Sequence, residues 1–204
     1  MIFTGLIIAG GYSNRFKGFK PLANINGESF LSNICIKLHG LSKNTVIVTG
    51  HKHQLIEDHI KEKDFLNTFC INNKDFKKGM SSSILIGLKH IKERFPESHT
   101  IYQPVDIPHI APDTYFKLIQ TTKERNPEIL KPSYNMKGGH PLIISPNTRD
   151  ILIERLREDN LKIAIKKIGI KMEYLNTDDI SVIQDIDTPE DLDNYLSDIR
   201  FIPV

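Results

Sequence analysis

A short apolar run near the N-terminus ends at a glycine pair that is followed by hydroxyl and basic side chains. In the stretch GLIIAGGYSNRFKGFK, Gly10 and Gly11 precede Ser13, Arg15 and Lys20. Paired glycines let several backbone N–H groups approach an anion without a Cβ in the way. An arginine can hold phosphate oxygens through two hydrogen bonds, and a lysine adds a compact positive charge. This combination predicts a phosphate-binding loop.

Two common phosphate loops do not match this stretch. A Walker loop requires GxxxxGK[ST]; Gly5 and Gly10 have the right separation, but Gly11 and Tyr12 follow instead of lysine and a hydroxyl residue. A dinucleotide-binding loop requires GxGxxG, which the residues after the glycine pair do not supply. The missing dinucleotide pattern also disfavours a nicotinamide-dependent reductase.

Two later segments carry polar residues where a ligand could be contacted. In NKDFKKGMSSSILIGL, Ser82 and Ser83 fall at a predicted helix start, nine and ten residues after Asn73. Hydroxyls and free N–H groups there could contact a base or ribose, and plain helix capping is the alternative. In KGGHPLIIS, His140 is held between a glycine and a proline. It could donate to an anionic acceptor, or be an ordinary loop histidine.

Aspartates follow two other apolar segments. Asp106 ends the predicted strand in QPVDIPHI, where it could bind a hard cation through oxygen or simply cap the strand end. Asp185 and Asp187 precede a strong helix start in QDIDTPEDL, with Thr188 as N-cap and Pro189 at the first helical position. Capping explains the threonine and proline but does not require the two preceding aspartates.

These five segments, taken in their order along the chain, resemble the motifs of the MobA-like nucleotidyltransferases. The first resembles L-x-A-G-G-x-S-x-R-M-G-x-x-K-x-L, and the second resembles the N-x5-G-M-x-S-S-L-x-x-G-L segment of the molybdenum cofactor cytidylyltransferase branch. The others resemble the family's D-x-P, G-H-P and D-I-D-T-P-E-D-L segments. One departure is visible, because Lys17 stands where the family has glycine and the glycine is displaced to Gly18. We expect Lys17 to face solvent.

The resemblance implies Mg²⁺-dependent nucleotidyl transfer, in which an acceptor phosphate attacks the α-phosphorus of a nucleoside triphosphate and pyrophosphate leaves. It implies catalytic roles for Arg15, Lys20 and Asp106, and Mg²⁺ binding by Asp106 and Asp187, with Asp185 as the rival second ligand. The implied nucleotide-binding residues are Ala9, Gly10, Gly11, Ser13, Arg15, Lys20, Asn73, Ser82 and Ser83. The implied acceptor-binding residues are Gly139, His140 and Pro141.

The resemblance also implies substrates and a partner. The implied donor is CTP and the implied acceptor is molybdopterin, with a molybdenum hydroxylase as the protein that receives the product. A sugar- or alditol-phosphate nucleotidyltransferase would use the same loop and metal. A non-catalytic maturation protein that only holds the cofactor is the other alternative. Loss of Lys20 or of a metal aspartate would favour it, and this sequence keeps all three residues.

The elements that must position these residues alternate along the chain. Apolar, β-branched runs predict strands over residues 2–9, 45–50, 67–72, 99–105, 128–134, 140–145 and 171–176. Helical spacing predicts helices over residues 28–41, 53–63, 80–95, 147–159 and 188–199, and another starting near Asp113. This alternation predicts one Rossmann-like three-layer α/β/α domain over residues 1–204, with a mainly parallel, mixed sheet. Ligands bind beyond the carboxyl ends of such strands, where the motifs lie.

Composition excludes several other classes of protein. The 204 residues carry 27 basic and 25 acidic side chains and a net charge of +2, which argues against a general nucleic-acid binder. No apolar stretch is long enough to span a bilayer, and the N-terminal run lacks the basic start of a signal peptide. Cys35 and Cys70 show no metal-ligand or CxxC spacing, so we expect free buried thiols in a reducing compartment. We expect a cytoplasmic protein without nucleic-acid or membrane partners.

Overall fold

The computed structural model describes residues 1–200, with side chains for residues 1–197. The strands are β1 (Ile2–Ile8), β2 (Asn24–Ile25), β3 (Glu28–Ser29), β4 (Asn44–Thr49), β5 (Thr68–Asn72), β6 (Ser98–Pro104), β7 (Ile129–Tyr134), β8 (Lys137–Gly138), β9 (Leu142–Ile144) and β10 (Met172–Asn176). The helices are α1 (Phe30–Leu38), α2 (His53–Lys63), α3 (Met80–Arg94), α4 (Pro112–Arg125), α5 (Pro146–Arg155), α6 (Leu161–Ile168) and α7 (Pro189–Arg200). Strands and helices alternate along most of the chain, as the sequence predicts.

The main sheet is mixed and mainly parallel, which confirms the predicted fold class. Its strand order is β10-β7-β9-β6-β1-β4-β5, with β8 paired to β7. Strand β1 pairs in parallel with β4 and β6, whereas β9 runs antiparallel to β6 and β7. Ile8 lies opposite Val48 of β4 and Pro104 of β6, so the carboxyl ends of three central strands are level. The loops that leave these ends therefore meet at one edge of the sheet.

Two apolar clusters cover the two faces of the sheet and give the three predicted layers. On one face, Phe3 and Ile7 of β1 pack with residues of α1, α2 and α4. On the other face, Leu6 and Ile8 pack with residues of α3, α5 and α6. Successive strand side chains point to opposite faces, so a strand buried on both faces must be apolar throughout. This explains why β1 is apolar apart from the buried Thr4.

A third apolar cluster joins the polar loop after β1 to the C-terminal helix. Phe16 and Phe30 are buried with Ile186, and Leu192 and Tyr195 of α7 pack against them. Burying a phenylalanine side chain contributes about 1.5–3 kcal/mol. The cluster therefore anchors both the loop and the segment that carries Asp185 and Asp187.

The structure differs from the predicted elements mainly after β9. The helix predicted over residues 147–159 ends at Arg155, and a separate helix, α6, follows it. Asn160 divides the two, because its side-chain Oδ1 accepts a hydrogen bond from the backbone N–H of Ile163 and so begins the new helix. Residues 28–29, predicted as helix, form β3, because Ser29 is the N-cap of α1 and accepts from Ser32 N.

The two thiols lie in different surroundings. Both cysteines are free, but only Cys35 is fully buried, and Cys70 is partly exposed on the edge strand β5. The expectation that both are buried was therefore wrong for Cys70. Its burial is nevertheless sufficient to raise the pKa of the thiol to about 11. Over the described residues, no helix has the length and apolar character that a membrane crossing requires.

Candidate active site

The glycine pair after β1 performs two different tasks. The backbone N–H of Ala9 still bonds the carbonyl of Val48, at 2.9 Å, and the chain leaves the sheet at Gly10. A Cβ at Gly10 would lie 3.2 Å from the backbone carbonyl of Thr49, whereas nothing lies within 4 Å of a Cβ at Gly11. Gly10 is therefore needed for close approach to the neighbouring strand. Gly11 leaves open space and an uncovered backbone, as anion binding requires.

Two basic side chains of the loop share one carboxylate. The Nζ atom of Lys20 lies 2.8 Å from Oδ1 of Asp187, and Nη1 of Arg15 lies 3.0 Å from Oδ2. The residues differ in exposure, because Lys20 is 7% exposed and the side chain of Arg15 is 74% exposed. The structure thus brings together three residues that are 5 and 167 positions apart in sequence. Their charges lie where the loop meets the start of α7.

Asp106 lies beside this group. It follows the end of β6, and its backbone carbonyl accepts a hydrogen bond from Ile186 N at 2.8 Å, which places Asp185 and Asp187 next to it. Burial, and then the charge of Asp185, raises the pKa of Asp106 to about 6, against an opposing effect of Lys20 and a further contribution from Asp187. Among the described side chains, no lysine or arginine forms an ion pair with Asp106.

The carboxylates fit a hard divalent cation. Within residues 1–197, no group of three or more histidine, cysteine or acidic residues forms a metal cage. Mg²⁺ does not need one, since it is commonly bound by one or two carboxylates with phosphate oxygens and water. Asp106 and Asp187 line the same cavity. Burial first, and then the charges of the neighbouring carboxylates, raise the pKa of Asp106, and a bound cation would offset both effects. Asp185 is near enough to act on this pKa but does not line the cavity.

This cavity, which we call the aspartate cleft, has a volume of about 410 Å³. Of the predicted residues, it is lined by Gly10, Gly11, Ser13, Arg15, Lys20, Ser83, Asp106 and Asp187. It is also lined by Tyr12, Phe76 and Met80, for which the sequence predicted no role in the site. The rings of Tyr12 and Phe76 lie 5.2 Å apart, and they come from loops that follow different strands. No local sequence signal indicates that such rings meet.

Three residues predicted to bind nucleotide do not line the cleft. Ala9 is 1% exposed and belongs to the apolar core. Asn73 is fully buried, and its Nδ2 donates to the hydroxyl oxygens of Ser82 and Ser83, at 2.9 Å each. The serines lie in the first turn of α3, as predicted, but only Ser83 faces the cleft. Asn73 therefore orients Ser83 in this structure, and the Ser82 hydroxyl accepts from the same amide group.

The glycine-histidine-proline segment lies apart from the aspartate cleft. Gly139 packs closely against the 3₁₀ turn at Ile180–Ile183. A Cβ added to Gly139 would lie 2.0 Å from the carbonyl oxygen of Val182, so only glycine fits at this position. His140 donates its backbone N–H to that same carbonyl, and Pro141 is buried. The side chain of His140 lines a second cavity of about 530 Å³, which shares Met80 with the aspartate cleft. We call it the lysine cavity, since Lys131 and Lys162 also line it.

Comparison with known families agrees with this geometry. Residues 5–170 match the family model of the MobA-like NTP transferase domain. The chain belongs to this family. In MobA-like NTP transferases the activity is nucleotidyl transfer, and the matched segment contains the loop after β1, Asp106 and the glycine-histidine-proline segment.

Two curated relatives of this MobA-like chain differ in how much of it they match. It is 22% identical over 187 residues to the molybdenum cofactor cytidylyltransferase of Escherichia coli (strain K12), which covers 91% of both proteins. It is 28% identical over 94 residues to a bifunctional IPC transferase and DIPP synthase of Rubrobacter xylanophilus. That second match covers 44% of this chain and only 21% of the relative.

A solved structure has the same fold. Rv0371c from Mycobacterium tuberculosis H37Rv has a TM-score of 0.76 at 19% identity, covering 97% of this chain and 99% of that one. The structure of Rv0371c in complex with manganese has a TM-score of 0.71 at 18% identity, with the same coverage. At such identities the likeness shows the Rossmann-like fold alone.

In this MobA-like loop, the left-handed backbone lies at Lys17 and not at the displaced glycine, Gly18. Lys17, at the position where the family has glycine, adopts a left-handed backbone with φ of 54°. Gly18 does not adopt a positive φ, and a Cβ there would make only ordinary contacts with Phe16, at 3.8 Å or more. The loop thus keeps the backbone shape that favours glycine while placing a lysine there. Lys17 is exposed, as predicted.

Proposed function

We propose that this protein is a Mg²⁺-dependent nucleotidyltransferase that transfers CMP from CTP to the phosphate of molybdopterin and releases pyrophosphate. The observation that carries the proposal is the aspartate cleft itself. Cations from the loop, Lys20 and Arg15, and carboxylates from two other segments, Asp106 and Asp187, line one cavity beside the uncovered backbone of Gly11. Such a cleft suits a triphosphate, which needs both positive charge and a bound metal.

In the proposed reaction, an oxygen of the acceptor phosphate forms a bond to the α-phosphorus. The bond from that phosphorus to the bridging oxygen breaks, and pyrophosphate leaves with the electron pair. An acceptor phosphate is already ionised near neutral pH, so no general base is required. Catalysis therefore depends on positioning and on charge neutralisation.

The residues of the cleft divide this work. Gly11 and Ser13 would contact the β- and γ-phosphates, and Arg15 would neutralise the leaving pyrophosphate. Buried Lys20 would stabilise the charge that develops at the α-phosphate, where low exposure strengthens its effect. Asp106 and Asp187 would hold the divalent ion, which when bound neutralises the α-phosphate and the incoming acceptor phosphate.

The proposed substrates follow from sequence resemblance. The GMSSS and GGHP segments resemble the cytidylyltransferase branch, and one relative over most of the chain is a molybdenum cofactor cytidylyltransferase. The manganese complex of a structural neighbour supports a divalent metal without favouring Mg²⁺. The product would pass to a molybdenum hydroxylase, the partner protein that such a dinucleotide cofactor serves.

Pyrophosphate release tests the proposal. The protein is incubated with Mg²⁺ and molybdopterin and with each of the four nucleoside triphosphates in turn. We expect release that depends on Mg²⁺ and on the acceptor, is fastest with CTP, and is lost in Lys20→Ala but kept in Lys17→Ala. Ribitol 5-phosphate and glycerol 3-phosphate serve as alternative acceptors, and faster release with either would favour an alditol-phosphate nucleotidyltransferase. No release with any triphosphate and acceptor would contradict an enzymatic role.

A further inference from the structure

Strand β5 forms one edge of the main sheet. It pairs in parallel with β4, and no other strand of the described residues pairs with it. The outer side of an edge strand presents a row of backbone N–H and C=O groups that a further strand can bind. Strand β5 is therefore a surface on which another chain could extend the sheet.

The pairing with β4 determines which backbone groups of β5 point outward. The carbonyl of Asn67 accepts a hydrogen bond from Thr45 N at 2.9 Å, and Asn73 N donates to the carbonyl of Thr49 at 3.0 Å. Along a paired strand, alternate residues direct their backbone groups toward the same neighbour. Residues 67, 69, 71 and 73 therefore bond β4. The N–H and C=O groups of residues 68, 70 and 72 point away from the sheet.

This row of outward groups is complementary to itself. It is centred on Cys70, with Thr68 and Asn72 two positions to either side. Antiparallel pairing of two copies about this centre places Cys70 opposite Cys70 of the second copy, and Thr68 opposite Asn72. At such positions of an antiparallel pair, the opposed residues exchange both of their hydrogen bonds. Every outward N–H and C=O group of β5 then has a partner.

The side chains of β5 also fit this pairing. Phe69 is 38% exposed, although its ring packs against that of Phe95 with centroids 5.8 Å apart. Ile71 lies on the same face of the sheet, since Ile71 and Phe95 pack against one apolar cluster. The antiparallel register places Phe69 opposite Ile71 of the second copy, and pairs of an aromatic and a β-branched residue stabilise a sheet. The second copy therefore covers apolar surface that one chain leaves exposed.

The charges around β5 favour a second copy as the partner. All five residues of the strand are uncharged, although edge strands are commonly protected from pairing by lysine or proline. The opposite edge strand, β10, includes Glu173. On the neighbouring helix α2, Glu57 and Lys61 both lie near enough to Cys70 to affect the pKa of its thiol. The strand thus brings no charge repulsion, and α2 offers both signs of charge to the other copy.

We propose that β5 binds β5 of a second copy of this chain in antiparallel orientation, with Cys70 on the two-fold axis. The main sheets of the two molecules then join into one continuous sheet. Because the axis is perpendicular to this sheet, the central strands of the two copies run in opposite directions, and the two aspartate clefts lie at opposite edges. The inference is independent of the proposed nucleotidyl transfer, since no residue of β5 lines the aspartate cleft or the lysine cavity.

Sedimentation equilibrium of the full chain tests this proposal. We expect an average mass that rises with concentration from 23.3 kDa toward twice that value. The variant Asn72→Pro removes one outward N–H group from each copy and leaves the bonds to β4 in place. We expect its dimer to dissociate with a constant roughly tenfold higher, because two hydrogen bonds across the interface are lost.

The variant Asn176→Pro is a matched control at the other edge of the sheet. Asn176, like Asn72, is the exposed last residue of an edge strand. The bond from Thr177 N to the carbonyl of Ser133, at 2.9 Å, shows that the N–H group of Asn176 points outward. Asn176→Pro should therefore dimerise as the wild type does.

Backbone amide exchange, followed by NMR on the wild type, locates the interface. In the dimer, the amides of Thr68, Cys70 and Asn72 should be protected, and on dilution they should exchange at least roughly tenfold faster. The amides of Phe69 and Ile71 bond β4 and should remain protected at both concentrations. This measurement needs no variant, so it decides the question even if a proline variant does not fold.

Three results would each overturn the proposal. The first is a mass of 23.3 kDa at every concentration. The second is an equal dissociation constant for folded Asn72→Pro and folded Asn176→Pro. The third is exchange of the Cys70 amide that does not change on dilution of the dimer.

Discussion

Lys20 and Arg15 hold the same carboxylate but differ in their surroundings. Lys20 is buried, so its charge acts with little screening, whereas Arg15 extends into solvent. We predict that Lys20→Met lowers kcat/KM for pyrophosphate release roughly 100-fold or more, as loss of a preorganised donor does. Arg15→Met should lower kcat/KM less, and this loss should become smaller still as the salt concentration rises. Kinetics of both variants at low and high salt check this, with Lys17→Met as the control, and equal losses for Arg15 and Lys20 would contradict it.

Lys17 provides a test of backbone strain. The exchange variant Lys17→Gly/Gly18→Lys keeps the composition of the chain, so the added flexibility of glycine in the unfolded state cancels. It places glycine at the left-handed position, with φ of 54° at present. We predict that the exchange raises the free energy of unfolding by about 1 kcal/mol, measured by urea denaturation. Lys17→Ala, which keeps the left-handed strain, should gain nothing, and equal stabilities of the exchange variant and the wild type would contradict the interpretation.

Asp106 makes the stability of the ligand-free protein depend on pH in a characteristic way. Its pKa in the fold, about 6, lies above the usual value of 3.8, so the fold favours the protonated carboxyl. The sign follows from linkage: this group adds stability at low pH and loses it as pH rises from about 4 to about 6. Urea denaturation between pH 4 and 7, without metal or nucleotide, should show this loss in the wild type. Asp106→Asn should lack this loss. If stability changed with pH in the same way in both proteins, the pKa of Asp106 would not be raised in the fold.

At the scale of elements, the start of α7 fixes the position of Asp187. Oδ2 of Asp191 accepts hydrogen bonds from the backbone N–H groups of Asp187 and Thr188, at 2.9 and 2.8 Å, and Thr188 Oγ1 accepts from Asp191 N. We predict that Asp191→Ala destabilises the protein by about 1–2 kcal/mol and weakens Mg²⁺ binding. Urea denaturation and metal titration measure these effects. Asp193→Ala, on an exposed face of the same helix, should leave both unchanged; an equal effect of the two variants would contradict the positioning role.

Local signals account for what sequence could predict at this scale. Thr188 and Pro189 act within one helical turn, so the start of α7 was predicted correctly. Asn160 is a helix N-cap of the same kind, and apolar residues follow it at helical spacing at positions 161, 164, 165 and 168. Because the helical pattern predicted for residues 147–159 comes directly before it, this second helix start was not predicted. The limits of β1 and β4 follow from mostly apolar runs buried on both faces, which the alternation of strands and helices indicates. Strand β6 is buried as well, although Ser98, His99, Thr100 and Gln103 are polar.

At the scale of the whole molecule, the level carboxyl ends of β1, β4 and β6 bring the site together. The sequence predicted that Lys20, Asp106 and Asp187 would meet, because each follows a strand end or carries a family motif. It could not predict that Asn73 is buried beneath the serines, or that Tyr12 meets Phe76. Those contacts depend on how separate loops pack, and no short segment of sequence encodes that packing.

Two adjoining cavities, one with carboxylates and cations and the other with lysines and apolar walls, give the molecule room for two substrates. The most direct test of nucleotidyl transfer is therefore to follow the α-phosphate of CTP. With α-labelled CTP, Mg²⁺ and molybdopterin, we predict that the label appears in the acceptor, one label for each pyrophosphate released, and that Asp106→Asn abolishes both. Label that remains on free CMP or CDP, or an unlabelled acceptor despite pyrophosphate release, would contradict the account.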